Sequence, residues 1–273
     1  MLALPKEQQH AVHRLYQYRK SISTKPFAAR GKKLVRCPWC LLGELFCTCL
    51  HREYLKTSAN FMLIMYDDEV LKPTNSGRLI ADLVPNTSAF LWSRTEPSKQ
   101  MVDMINDPKY QPMLIFPEQY AQEGQPVIEH INQLNCSTEN DNPHIIPQAK
   151  HGSSAPKIPL LILLDGSWRQ AIKMFKKSPY LHKLPLLSFT PETLATYELR
   201  KGSHDFQLST AEVAALAFHA IDEPLQGLAL SAWFDLFVES SLLGRNRRLK
   251  EDIVPIQHYI DNFKQAMINA NQL

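Results

Sequence analysis

The sequence predicts an α/β domain with a mainly parallel sheet, and two observations carry that expectation. Short continuous apolar runs alternate with stretches of helical periodicity, the pattern left by strands buried on both faces and joined by crossover helices. The chain of 273 residues, 44% hydrophobic and 21% charged, is also long enough to bury a sizeable core and still present a charged surface.

The elements follow in order. Residues 6–20 predict an amphipathic helix, with Val12, Leu15 and Tyr16 at helical spacing and His13, Arg14, Arg19 and Lys20 between them. Phe61-Met62-Leu63-Ile64-Met65, Ala89-Phe90-Leu91-Trp92, Met113-Leu114-Ile115-Phe116 and Leu160-Leu161-Ile162-Leu163-Leu164 are expected as buried strands. Helical patterns cover 76–83, 98–106, 168–177 and 210–221, and two C-terminal helices are expected over 225–243 and 255–271. The stretch 122–157 breaks the alternation. Rich in Asn, Gln, Ser, Pro and His, with little periodicity, it is expected to be a flexible surface insertion. The expected division is a basic helix and four-cysteine hairpin over 1–55, followed by the α/β domain over 56–273.

A net charge of +3 says little about partners, but its distribution says more. No acidic residue falls between Gln8 and Arg36, while that stretch carries Arg14, Arg19, Lys20, Lys25, Arg30, Lys32, Lys33 and Arg36. Such an arm is either a solvated charged face or a footprint for a phosphate backbone. No apolar run is long enough to span a bilayer, and the N-terminus lacks the apolar core of a secretory signal, so a cytoplasmic protein without a membrane partner is expected.

Of five cysteines, Cys37, Cys40, Cys47 and Cys49 form the pattern C-x2-C-x6-C-x-C, and Cys136 stands apart. An odd count without a secretory signal argues against a disulfide framework. Two close pairs on a hairpin can converge on one tetrahedral zinc ion, and four thiolates would close the site, making it structural. The alternative is four reduced thiols without metal, exposed to oxidation.

The apolar run 160–164 ends in Asp165-Gly166-Ser167-Trp168, after which a helical pattern begins. Ligands of open α/β sheets bind beyond the carboxyl ends of strands, which makes Asp165 a candidate catalytic group. Asp and Ser are equally the preferred helix caps, so capping explains the turn as well. Trp168 is either a core residue or a platform for a ligand ring.

Together these elements resemble the DTW-domain family. Asp165, Ser167 and Trp168 match its D-x-[ST]-W turn, with Gly166 at the position where the usual pattern has threonine. Asn75-Ser76-Gly77-Arg78-Leu79 is similar to its asparagine-[ST]-glycine element, and Leu114-Ile115-Phe116-Pro117 to its strand-to-proline element. Leu199-Arg200, followed by Leu208-Ser209-Thr210-Ala211-Glu212, is similar to its arginine and S-T-x-E elements. The resemblance spans about 36–243 outside the insertion.

The resemblance implies a SPOUT-like fold, in which S-adenosylmethionine is held by loops at a knotted part of the sheet. It also implies transfer of the 3-amino-3-carboxypropyl group of that co-substrate to a tRNA uridine. Asp165, Ser167 and Trp168 are then the expected catalytic residues, with Asp165 as general base or uracil-orienting group. Phe116, Pro117, Asp165, Arg200, Ser209, Thr210 and Glu212 are expected at the co-substrate. Arg200 would pair with its carboxylate, or is an ordinary surface arginine. Ser209, Thr210 and Glu212 are also explained by helix capping alone, with Ser209 as the cap. Arg30, Lys32, Lys33, Arg36, Asn75, Arg78 and Lys173 are expected to contact RNA, and Arg245, Arg247, Arg248 and Lys250 add a second basic run. No G-x-G-x-x-G follows a strand, which argues against a Rossmann cofactor site, and no H-x-E with P-C-x-x-C suggests a base deaminase. A SPOUT-type RNA methyltransferase and a non-enzymatic zinc-hairpin RNA-binding protein are the competing functions.

Overall fold

The computed structural model describes residues 9–24, 34–134, 156–190, 208–244 and 255–272. Its centre is a six-stranded, all-parallel sheet of β1 (Asn60–Met65), β2 (Thr87–Leu91), β3 (Tyr110–Ile115), β4 (Val127–Ile128), β5 (Ile158–Asp165) and β6 (Leu186–Leu187), in the order β2-β1-β5-β3-β6-β4. The continuous apolar runs occupy the middle strands: β1 is flanked by β2 and β5, and β5 by β1 and β3.

Both faces of the sheet are covered, as the absence of alternation in these strands requires. Phe61, Leu63, Leu161 and Leu163 point to one side. There they share one core cluster with Ile80 of α2 (Gly77–Leu83), Ala214 of α5 (Thr210–His219), Leu230 of α6 (Pro224–Leu243) and Phe263 of α7 (Ile256–Asn271), whose ring lies against Trp233 of α6. Met62, Ile64, Leu160 and Ile162 point to the other side, against Met101 and Ile105 of α3 (Lys99–Asn106) and Met174 and Phe175 of α4 (Trp168–Lys176). Each fully buried leucine or phenylalanine contributes roughly 1.5–3 kcal/mol, so these layers dominate the stability.

The N-terminal helix α1 (Ala11–Ser21) is capped by His10, whose ring accepts from the His13 amide. Val12, Cys37, Cys40 and Leu42 join the same core cluster as α2 and α5, so the cysteine segment packs directly on the α/β domain. No described helix is long and apolar enough to cross a membrane.

Two strands escaped the sequence. β4 falls inside the stretch expected to be a loop insertion and pairs in parallel with β6. Each has two residues, too short to leave a periodic signal, and each is fixed by its neighbour instead: the Leu186 amide donates to the Pro126 carbonyl (2.8 Å) and the Ser188 amide to the Ile128 carbonyl (2.9 Å). The first part of the 122–157 stretch is therefore a sheet edge, not free loop. Residues 135–155, with Cys136, lie outside the described residues.

Candidate active site and cysteine cluster

Asp165 ends β5 in the middle of the carboxyl edge of the sheet and is 2% exposed. Its Oδ2 accepts from Asn75 Nδ2 and its Oδ1 from Thr210 Oγ1, both at 2.6 Å. Two separate sequence elements thus close on a carboxylate carried by a third. Asn75 precedes α2, and its Oδ1 also accepts from the Arg78 amide (3.0 Å). Thr210 opens α5, whose start is fixed by a reciprocal capping box between Ser209 and Glu212. Ser76 joins the two helices by accepting from the Ala211 amide (3.4 Å).

The close approach of α2 explains Gly77. A Cβ there would stand 2.7 Å from Asp165 Oδ2, so only glycine leaves room for the carboxylate. Both donors to Asp165 are neutral, and burial pushes its pKa up to about 6. The Thr210 hydrogen bond opposes that rise, the charge of Glu69 adds to it, and Asn75 and Arg78 pull it back.

Asp165 is not the cap of α4. Ser167 takes that place, with Gln170 Oε1 accepting from the Ser167 amide (2.8 Å) in a second capping box. Capping thus accounts for Ser167 and frees Asp165 for another role. Trp168, the first residue of α4, is 41% exposed. Its ring stacks on Phe116 (centroids 5.7 Å, 22°), which stacks in turn on Phe175 (4.8 Å, 20°). Tyr120 meets Trp168 (5.7 Å) and Phe116 (5.3 Å) edge-on, and Pro117 starts the turn that carries it. A half-exposed aromatic face therefore lies on the β3 side of Asp165.

On the β1 and β2 side stands a second aromatic pair, Tyr66 stacked on Trp92 (5.7 Å, 19°). The Lys173 ammonium lies over both rings, at 5.4 and 5.7 Å, and donates to Tyr66 Oη (3.0 Å). Tyr66, Trp92 and Tyr120 were not singled out from the sequence. A signal was present for two of them, since Tyr66 and Trp92 each follow an apolar strand directly, at the edge where open sheets bind ligands.

Several residues expected at RNA are instead engaged within the protein. Asn75 and Arg78, expected at RNA, are each 1% exposed. The Arg78 guanidinium points inward, donating to the Cys40 carbonyl (3.3 Å) and the Val70 carbonyl (3.5 Å), because the cysteine segment lies over α2. Arg36 donates to the Leu41 carbonyl (2.7 Å) and pairs with Gly43 in the turn of the cysteine segment. Arg30, Lys32, Lys33, Arg200 and the 245–250 run lie outside the described residues.

The four clustered cysteines converge. Cys37 Sγ lies 3.7 Å from Cys49 Sγ and Cys40 Sγ 3.8 Å from Cys47 Sγ, and all four sulfurs sit within 4.8 Å of one another. Zn–S bonds of about 2.3 Å in a tetrahedron place sulfurs about 3.8 Å apart, so the four can hold a metal ion such as zinc. Directly after Cys40, where the chain turns back so that the Cys37 amide donates to the Leu42 carbonyl (2.8 Å), Leu41 adopts a left-handed φ of 60°.

A family model described as the DTW domain matches residues 34–242. No solved structure matches the chain.

Proposed function

Because this chain belongs to the DTW-domain family, which supports a tRNA-related function, we propose that it transfers the 3-amino-3-carboxypropyl group of S-adenosylmethionine to a uridine of tRNA. The observation that carries this reading is the convergence of Asn75, Asp165 and Thr210 beside a half-exposed aromatic face. The proposal includes a SPOUT-like arrangement of the cofactor loops, which an all-parallel sheet with its site at the carboxyl edge supports.

The residues present fit such a co-substrate. The Phe116, Tyr120 and Trp168 face suits an adenine ring, and a buried carboxylate nearby suits a cation. Pro117 shapes the turn beneath that face, and Arg200 is the proposed partner of the amino-acid carboxylate. When bound, the co-substrate supplies a γ-carbon activated by the adjoining sulfonium, with methylthioadenosine as leaving group.

The protein's part is orientation and one proton. The uracil imide is a weak acid and must lose its proton to become a nucleophile. Asp165 is almost fully enclosed, whereas Thr210 is partly exposed and donates to it. In this proposal the imide proton passes to Thr210 Oγ1 as the threonine's own proton passes to Asp165 Oδ1. The freed nitrogen then forms its bond to the γ-carbon as the carbon–sulfur bond breaks. A carboxyl with a pKa of about 6 is ionised at neutral pH yet basic enough to take part. Asn75 and Gly77 are positioning residues for that carboxylate, and the capping residues Ser167, Ser209 and Glu212 hold the two helix starts in place.

The proposed RNA footprint is the basic arm of Arg30, Lys32, Lys33 and Arg36, together with Lys173 on the aromatic pair. Zinc in the four-cysteine cluster would fix residues 1–55 to the catalytic domain 56–273, and the tRNA substrate implies a cytoplasmic location. Nucleoside mass spectrometry of unmodified tRNA incubated with the protein and S-adenosylmethionine tests the proposal.

A further inference from the structure

A second cluster of metal-ligating side chains lies beneath α1, away from the carboxyl edge of the sheet. His10, His13 and Asp82 bring one donor atom each within 4.8 Å of the others. His10 Nε2 lies 3.1 Å from Asp82 Oδ1, with both side chains under a tenth exposed. The two imidazoles stack with centroids 3.5 Å apart. His13 is 4% exposed, and neither of its ring nitrogens has a hydrogen-bond partner among the described residues. A buried imidazole with two unmet nitrogens is costly, and an ion is one of the few things that removes the cost.

We propose that His10, His13 and Asp82 form a second divalent-cation site, separate from the four-thiolate cluster, for a borderline transition metal such as zinc. Zn–N and Zn–O bonds of about 2.0–2.2 Å put neighbouring donors about 3.3 Å apart, close to the His10–Asp82 separation of 3.1 Å. Imidazole and carboxylate donors without sulfur suit zinc, cobalt or ferrous ion over calcium or magnesium. The His13 amide donates to His10 Nδ1, so neutral His10 carries its proton on Nε2, toward Asp82. Metal binding at Nε2 moves that proton to Nδ1, and the ring exchanges the bond from the His13 amide for one to the metal.

The surroundings set the strength of this site. Arg52 donates to Asp82 Oδ1 (3.3 Å), Trp233 Nε1 donates to Oδ2 (3.3 Å), and the Arg78 charge acts on both histidines. Two guanidiniums weaken any cation there, so the site loads after the thiolate cluster and empties before it. Its position gives it a structural consequence. His13 meets Trp39 edge-on (5.2 Å), between Pro38 and Cys40, so an ion on His13 would tie α1 to the cysteine segment.

Equilibrium dialysis of the full chain, its cysteines loaded with zinc, against cobalt(II) tests this. The expected result is one additional cobalt per chain, with visible ligand-field bands, no sulfur-to-cobalt charge transfer and imidazole scattering in its X-ray absorption spectrum. His13→Phe, similar in bulk, should lose that ion and keep the zinc; Asp82→Asn should weaken it at least tenfold. A parent protein that takes up no cobalt beyond its cysteine cluster overturns the proposal. So does a second ion without imidazole scattering, or one that a folded His13→Phe variant retains.

Discussion

Gly77 and Asp165 touch so closely that a single methyl group on the glycine would stand 2.7 Å from Asp165 Oδ2. The helix start and the strand end have been fitted to each other around a charge that is itself out of water. Gly77→Ala should therefore displace the carboxylate. Overpacking of this kind costs about 1–3 kcal/mol, set against a gain of up to about 1 kcal/mol in helix propensity. We expect a modestly lower melting temperature and at least a tenfold loss of turnover. Parental activity in Gly77→Ala would mean that the carboxylate position is not critical.

Thr210 separates a proton relay from simple packing. Thr210→Val keeps the shape and removes the hydroxyl between Asp165 and the open side of the site. Turnover should fall by about a hundredfold or more, the usual scale of acid–base catalysis. Thr210→Ser should recover most of it, while tRNA affinity stays level in both. Equal activity in the valine and serine variants would remove Thr210 from the proton path.

The pH dependence follows from the sign of the Asp165 shift. Burial raises its pKa to about 6, so the carboxylate that accepts a proton disappears as pH falls through that value. The rate should drop about tenfold per pH unit below about 6 and level off above it. The limb should be absent in Asp165→Asn, whose amide can accept from Asn75 and donate to Thr210, and which avoids burying a charge. That variant should thus fold at least as stably as its parent near neutral pH. A parent profile that is flat between pH 5 and 7 would exclude Asp165 from the rate-limiting proton transfer.

Much of this arrangement was legible in the sequence, for definite reasons. The continuous apolar runs at 61–65 and 160–164 became two adjoining interior strands because burial on both faces leaves no polar positions. Helix starts at 168 and 210 were marked by Ser167 and Ser209 with their partners three residues on. What the sequence hid was tertiary. β4 and β6 exist only through each other and β3, and the burial of Arg78 depends on where the cysteine segment lies. The Tyr66–Trp92 pair joins residues that follow two different strands, and His10, His13 and Asp82 are brought together across a separation of some seventy residues.

The cysteine cluster should hold one zinc, with sulfur its only ligand. Cys37→Ser or Cys47→Ser should lower that occupancy and the melting temperature together, since structural zinc binding is coupled to folding. Because Arg78 donates to the Cys40 carbonyl, the damage should spread to α2 and reduce turnover as well. Full stability in a variant that has lost its sulfur-bound zinc would contradict a structural role.

Charge reversal at Arg30, Lys32 and Lys33 should weaken tRNA binding and flatten its salt dependence while leaving co-substrate affinity unchanged. Matching tRNA affinities for variant and parent across several salt concentrations would move the RNA footprint elsewhere on the surface.

The most direct measurement is nucleoside mass spectrometry of unmodified tRNA after incubation with the protein and S-adenosylmethionine, run beside Asp165→Asn. The expected result is a uridine heavier by one 3-amino-3-carboxypropyl group, methylthioadenosine in equal amount, and a yield at least a hundredfold lower with the variant. A methylated nucleoside with S-adenosylhomocysteine, or tRNA that is bound but chemically unchanged, would contradict the proposed transfer.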